Sequence, residues 1–488
     1  MFMNAFDYFF EKTSELEKPF LVGKENLSFR DLYSSSLLLA SYLRKEFGWN
    51  KNILLLSVNN QFCLTAYFAI IKSGNVCIPL DPNIEKENFE YISGLTNPVL
   101  IFMTRDIEHK LTISSIKCIF PDTINNAEFK GSDIREKEDF NQGACAEIIF
   151  TSGSTGVPKG VMISHKNLIA NTESIITYLK LSQNDRMLVV LPFYYCYGLS
   201  LLHTHLRVGG SIVLNNSFIF LGGIIKNLLE YKCTGFAGVP SHFQILLRKS
   251  DNFKTTRFPD LKYVTQAGGK LAPIFIDEFR NSQPEVTFIV MYGQTEATAR
   301  LSYLPPELYE AKKASMGKGI PGVELKVVNE KGKVIKPGEI GEVIARGDNI
   351  MLGYFGDEEG TRSTIRAGWL YTGDLGTVDQ DGYIFLTARK KEIIKVGGKR
   401  ISPKEIEAVI LELPEVVDCT IEGVEDELLG EALKATIVIK PENGKELFPD
   451  KIRQHCSKHL ALYKVPQVFE IKEQLVISAT GKKIKGKL

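Results

Sequence analysis

The chain is nearly without net charge, at +1 over 488 residues. No global field favours nucleic acid or an anionic membrane surface. None of its eight cysteines forms a Cys-x-x-Cys pair, and no His/Cys spacing has the form of a zinc site. Scattered thiols such as Cys63, Cys77, Cys145 and Cys233 fit a reduced, cytoplasmic protein. The N-terminus, Met-Phe-Met-Asn-Ala-Phe-Asp, lacks the basic stretch and apolar core of a signal peptide. The most apolar stretch, 187–202, is broken by Pro192 and Gly198 and falls short of the ~20 residues that span a bilayer. Internal repeats, low-complexity linkers and a pantetheine attachment site of the Asp-Ser-Leu type are all missing.

The length implies two or three domains, and 44% hydrophobic content supplies a core. In the first part, apolar runs at 52–58 and 76–80 alternate with helical patterns at 27–47 and 64–72. Further apolar runs follow at 187–192, 211–214, 235–239, 263–267 and 287–291. This is the signature of α/β architecture with parallel sheets, whose strands end in ligand-binding loops. After about residue 320, the near-alternating runs 323–328, 341–346 and 382–386 predict a small antiparallel β subdomain. From about 390 a small α+β unit is expected. It has a helix start at Ser402-Pro-Lys-Glu, a strand pair near 416–423 and 432–439, a helix over 448–460 and a last strand near 468–471.

The most informative segment is Thr151-Ser-Gly-Ser-Thr-Gly-Val-Pro-Lys-Gly160, between the strand-like run 146–150 and a helical segment beginning near Ser164. Its glycines free backbone N–H groups for phosphate oxygens, and its hydroxyls and Lys159 add donors and charge. The spacing is not that of a Walker loop, and alone it reads equally well as a strand-to-helix connection. Four further segments bear on it: Met291-Tyr-Gly-Gln-Thr-Glu-Ala-Thr298; Tyr371-Thr-Gly-Asp-Leu-Gly376, an acidic residue read as lying in a tight turn; Ala388 to Arg400; and Thr480-Gly-Lys482. Singly, Tyr292 reads as core, Asp374 as a turn former and Lys482 as a solvated tail residue.

Together, in this order and over nearly the whole chain, these motifs resemble the adenylate-forming superfamily: acyl-CoA synthetases, peptide-synthetase adenylation domains and luciferases. AMP-dependent acyl-CoA ligases are the nearest group. The resemblance implies an N-terminal domain over 1–388 with its β subdomain at about 320–388, a hinge at 389–391, and a mobile α+β domain over 392–488. It implies that Thr151, Ser152, Gly153, Ser154, Thr155, Gly156 and Lys159 hold the phosphates of ATP. Thr295 then contacts the α-phosphate, and Glu296 helps hold Mg²⁺. Tyr292 stacks on adenine near Gly268 and Gly269, with Gly293 and Gln294 beside it, and Asp374 and Arg389 bind the ribose. Lys482 stabilises charge during adenylation, and Lys391 sits at the hinge. Gly397 and Gly398 line the path of a pantetheine thiol after rotation.

The acyl pocket is expected from Tyr195, Gly238 and Val239. Amino-acid-activating relatives carry an Asp in the segment 193–202 and this chain has none, so a substrate ammonium would be buried unpaired at a cost of several kcal/mol. A fatty or other neutral-tailed acid is favoured. Lys270 is read as facing water rather than a second carboxylate. The expected acceptor is CoA, the alternative a separate acyl or peptidyl carrier protein. A luciferase-like oxygenase and a non-catalytic nucleotide binder are disfavoured.

Overall fold

The computed structural model describes residues 4–111, 113, 116–124, 140–151, 157–426, 430–440 and 448–475. Two sheets form the larger part. One has nine strands; its parallel centre is built from Arg186–Val189, Ser211–Leu214, Gly235–Gly238, Tyr263–Gln266 and Thr287–Tyr292. The other has seven strands, among them Asn52–Leu56, Val76–Leu80 and Leu100–Met103, again parallel. These match the apolar runs in the sequence, and the strands are buried on both faces, as a sheet covered by helices requires.

The helices begin where local chemistry dictates. Ser28 caps Phe29–Phe47 by accepting from the Asp31 amide. Asn60 does the same for Gln61–Lys72. Ser164 and Asn167 form a reciprocal capping box on His165–Leu179. The reading of a direct step from phosphate loop to helix needs correction. Lys159–Ser164 is a strand, paired antiparallel with Cys145–Thr151 so that Thr151 faces Lys159. Gly160 is required there, because a Cβ would come 2.8 Å from Ile148 Cγ2 and 3.0 Å from the Phe150 ring.

The β subdomain is a five-stranded antiparallel sheet containing Val323–Val328, Gly341–Gly347, Trp369–Val378 and Ile384–Arg389. Asp374 therefore does not lie in a tight turn but inside a ten-residue strand with alternating burial. Gly373, at φ 75°, and the neighbouring register shift kink this strand, and the Gly-Asp pair marks that irregularity. Beyond Arg389 comes a 3₁₀ turn, Lys390–Glu392, and then a second five-stranded sheet carrying the helices Pro403–Ile410 and Phe448–His459. Pro403 occupies the first helical position as expected, but Ser402 makes no side-chain cap. Its hydroxyl instead donates to the Thr387 carbonyl at 2.6 Å, tying the helix start to the strand before the turn. Arg248 adds a further tie: it pairs with Glu278 and donates to the carbonyls of Leu413 and Val416. Among the described residues, no helix is long and apolar enough to cross a membrane.

Burial holds His165, His203 and His242 neutral, pushing each down to about 3. His165 Nδ1 accepts the Ala5 amide at 3.1 Å, a bond that protonation of that nitrogen would break. Their folded values lie below the usual 6.5, so the unfolded chain binds more protons. The stability they lend is full above 6.5 and is lost as pH falls towards 3. Glu147, raised by burial to about 7, works the other way between about 4.5 and 7, one group against three. Urea unfolding is thus expected to give lower stability at pH 5 than at pH 7.5, and His242→Gln a shallower dependence. A flat profile would contradict this.

Candidate active site

The site is assembled at the C-terminal ends of parallel strands. The strand Thr287–Tyr292 delivers Tyr292, and a 3₁₀ turn, Thr295–Ala297, follows at once. Gly293 is needed in the connection, since a Cβ there would lie 1.9 Å from the Ala299 carbonyl oxygen. Thr298 closes the turn at φ 63°, unusual for a β-branched residue, with its hydroxyl donating to the Asn349 carbonyl at 2.7 Å. Asn349 in turn donates to the carbonyls of Ala297 and Arg300. The segment that follows the strand Gly341–Gly347 thereby braces the turn.

Two polar clusters flank this turn. In the first, the Asp374 carboxylate is held from both sides. Tyr292 donates its hydroxyl to Oδ2 at 2.6 Å, and Arg389 donates Nε–H to Oδ1 at 3.0 Å. Asp374 is buried, and strand register places Arg389 directly opposite it. The guanidinium, half-exposed, is raised first by the charge of Asp374. Tyr292 is likewise pushed up, by burial first and then by Asp374. This arrangement fixes and aims the carboxylate oxygens, which can accept further hydroxyl donors.

In the second cluster, Tyr354 donates to Glu296 Oε1 at 2.8 Å. Lys159 pairs with Asp357 Oδ2 at 2.7 Å and lies 5.0 Å from the centre of the Tyr354 ring. Lys159 and Glu296, far apart in sequence, are thus joined through Tyr354. Tyr354 and Asp357 were missed by the sequence reading. They stand almost 200 positions after Lys159, with no motif spacing to connect them. The Glu296 carboxylate, half-buried and oriented by one hydroxyl, has the hard oxygen chemistry that suits Mg²⁺ alongside phosphate oxygens.

Beneath the turn, Thr295 is buried with its hydroxyl 3.5 Å from Cys196 Sγ. Tyr195, also buried, precedes the helix Cys196–Val208. Gly268, at φ 82°, has no room for a side chain: a Cβ would meet the Tyr195 hydroxyl at 2.8 Å and Val239 Cγ1 at 3.0 Å. Gly269 packs near Pro240, and Gly238 is hemmed in by Phe243. Tyr195, Gly238, Val239 and the Gly268–Gly269 pair therefore share one wall. Gly268→Ala is expected to raise the KM for the acid about tenfold or more, since the added carbon displaces the Tyr195 ring, and to raise that for ATP less, although Gly268 also lies where adenine is expected. Equal effects on both would place the wall elsewhere. Lys270 is exposed, as expected, and its amine also donates to the Leu386 carbonyl of the β subdomain at 2.9 Å. The amine is lowered, first by desolvation, with the charge of Glu405 opposing.

Other expected residues lie apart or outside. Gln294 is half-buried at the entry to the 3₁₀ turn. Lys391 is exposed in its own 3₁₀ turn. Gly397 and Gly398 form the two-residue turn of a hairpin between Ile394–Val396 and Lys399–Ile401, with φ 54° and 77°, the paired positive angles that favour glycine there. Ser152, Gly153, Ser154, Thr155, Gly156 and Lys482 lie outside the described residues.

The model of the AMP-binding enzyme family matches residues 10–355, and that of the AMP-binding enzyme C-terminal domain matches 405–482. The chain belongs to the AMP-binding enzyme family. This AMP-binding enzyme is 29% identical to an oxalate–CoA ligase of Arabidopsis thaliana, over 94% of the chain and 92% of that protein. It is 30% identical to a probable CoA ligase of Humulus lupulus, over 92% and 87%. Among solved structures it resembles the o-succinylbenzoate coenzyme A synthetase of Bacillus subtilis in complex with ATP and magnesium ion. There the TM-score is 0.85 at 26% identity, covering 98% of both chains. The large α/β part followed by a small C-terminal domain is the architecture of adenylate-forming enzymes, and this AMP-binding enzyme is an acid–thiol ligase of the acyl-CoA synthetase type.

Proposed function

We propose that this enzyme activates a carboxylic acid with ATP and passes the acyl group to CoA. A carboxylate oxygen attacks the α-phosphorus, pyrophosphate leaves and an acyl-adenylate forms. The CoA thiol then attacks the acyl carbon, and AMP departs with the bridging oxygen. The barrier is lowered mainly by positioning and by charge placed where charge develops.

The observation that carries the reading is the Asp374 carboxylate fixed between Tyr292 and Arg389. Its remaining lone pairs suit the two vicinal hydroxyls of a ribose, and the Tyr292 hydroxyl ties that ring to the same carboxylate. Thr295 follows three residues later, where an α-phosphate would lie, with Glu296 beside it. Mg²⁺, held by Glu296 and the phosphates, would supply charge neutralisation on the oxygens of the leaving group. Lys159 has a carboxylate partner in Asp357, so arriving phosphates compete for its ammonium. We propose further that the chain swivels at 389–391 between the two half-reactions. Lys482 would serve the first, and the Gly397–Gly398 turn the second.

The acceptor reading rests on the relatives, which are CoA ligases by name; a carrier protein is the alternative. For the acid, the Tyr195–Val239–Gly268 wall is apolar and tight, and segment 193–202 offers no carboxylate to an ammonium. On lining alone, a fatty or other neutral-tailed acid fits best. The test is chromatographic detection of AMP and of the acyl thioester, from a panel of aliphatic, aryl, dicarboxylic and amino acids with and without CoA. Thioester and AMP formed together only when CoA is present support the ligase. Adenylate that never reaches CoA would transfer the acceptor role to a carrier protein.

A further inference from the structure

Arg300 is the largest fully buried side chain of the described protein, 1% exposed. Buried cations elsewhere in the chain have carboxylate partners: Arg248 pairs with Glu278 and Lys72 with Asp7. Among the described residues Arg300 has none, and its Nε–H finds no hydrogen-bond acceptor. Its guanidinium lies 4.5 Å from the centre of the Tyr197 ring. Burial opposes its charge, and the groups set against it are the Tyr178 and Tyr197 phenols and the Cys196 thiol. Burial pushes both phenols above their usual range, so they are neutral at pH 7. Rings and one hydroxyl compensate a desolvated cation only in part.

The position of this cation identifies what completes it. Cys196 and Tyr197 directly follow Tyr195 in the acyl wall. Cys196 Sγ touches the Thr295 hydroxyl, and the charge of Arg300 is felt at Tyr195. An anion that reaches Arg300 therefore comes in with the acid. We propose that the substrate is a dicarboxylic acid: one carboxylate is activated at the Thr295–Glu296 turn, and the other pairs with Arg300. This rests on the ligase reading and replaces the neutral tail suggested by lining alone. One carboxylate oxygen bonds the α-phosphorus as pyrophosphate leaves, and thiol attack then releases AMP. The product is a monothioester that keeps its second carboxylate. Only an acceptor aimed at the guanidinium gives the site a large preference, because a methyl-ended acid of equal length leaves the cation buried and unpaired.

The test compares thioester formation from straight-chain diacids of three to eight carbons with monoacids of the same carbon number, using wild type, Arg300→Met and Arg300→Lys. Wild type is expected to prefer one diacid over its monoacid by about 100-fold or more in kcat/KM. Arg300→Met should erase that ratio, mainly through the KM of the acid, with the KM for ATP unchanged. Arg300→Lys should retain part of it. A wild type that uses the monoacid as well as the diacid would overturn the proposal while leaving the ligase reading intact. So would an Arg300→Met that slows both acids alike, the mark of a purely structural arginine. Thioester from no acid at all would remove both readings. The wild-type comparison decides even if the methionine variant does not fold.

Discussion

Asp374→Asn is expected to lower kcat/KM for ATP by about 100- to 1,000-fold, with the fold intact. The two oxygens of Asp374 accept from opposite sides, one from the Tyr292 hydroxyl and one from Arg389. An amide can keep only one of these bonds, because its NH₂ group must face either a phenol that donates or a guanidinium that can only donate. The ion pair with Arg389 vanishes, and the charge-assisted bonds to ribose hydroxyls weaken. Hydrogen bonds to charged groups contribute roughly 1.5–3 kcal/mol each, so two that weaken rather than vanish, together losing about 3–4 kcal/mol, give the stated range. On the proposed role Asp374 holds the ribose in both half-reactions, so adenylation and thioester formation should both fall. Tyr292→Phe removes one donor and leaves the carboxylate and its ion pair, so its effect should be smaller. Rates of the two half-reactions, with synthetic acyl-adenylate for the second, check both statements. An Asp374→Asn variant with unchanged affinity for ATP would separate this carboxylate from the nucleotide.

Lys482→Ala should behave differently. If this lysine neutralises charge on the carboxylate and the α-phosphoryl oxygens only while the adenylate forms, its loss should slow pyrophosphate release about 100- to 1,000-fold. Conversion of supplied acyl-adenylate to thioester should remain within a fewfold of wild type. The contrast between the two variants separates a residue that holds the nucleotide in both steps from one that enters for the first alone. Equal loss in both half-reactions would contradict the assignment of Lys482 to adenylation.

The legibility of the chain follows the range of the interactions involved. The central strands of both sheets are runs of apolar side chains buried on both faces, a local property, and their positions read directly from the sequence. The caps at Ser28 and Ser164 are equally local. The strand Lys159–Ser164 was less legible, because proline, glycines and hydroxyls beside it signal a loop, while its pairing with Cys145–Thr151 is a tertiary effect. Asp374 read as a turn residue because Gly-Asp has turn chemistry, yet the sheet absorbs the pair as a kink in a strand. Ser402 has the residue type of a helix cap but spends its hydroxyl on Thr387, across a junction that no local window spans.

Within the site, motif residues were legible in themselves and their partners were not. Tyr292, Asp374 and Arg389 were singled out individually. That Tyr292 and Arg389 grip the same carboxylate is visible only once the subdomain packs against the strand end. Tyr354, Asp357 and Arg300 carry no recognisable spacing, and burial and orientation give them meaning. An arginine in a sequence is by default a surface residue, and its isolation among aromatic rings is a property of the fold alone.

The central claim is that the acid's own oxygen attacks the α-phosphorus. It is tested most directly by following ¹⁸O from a carboxyl-labelled acid through one turnover with ATP and CoA. Label recovered in AMP, one atom for each thioester formed, is the predicted result. Label in orthophosphate, with ADP as the nucleotide product, would mean attack at the γ-phosphorus and would contradict the account.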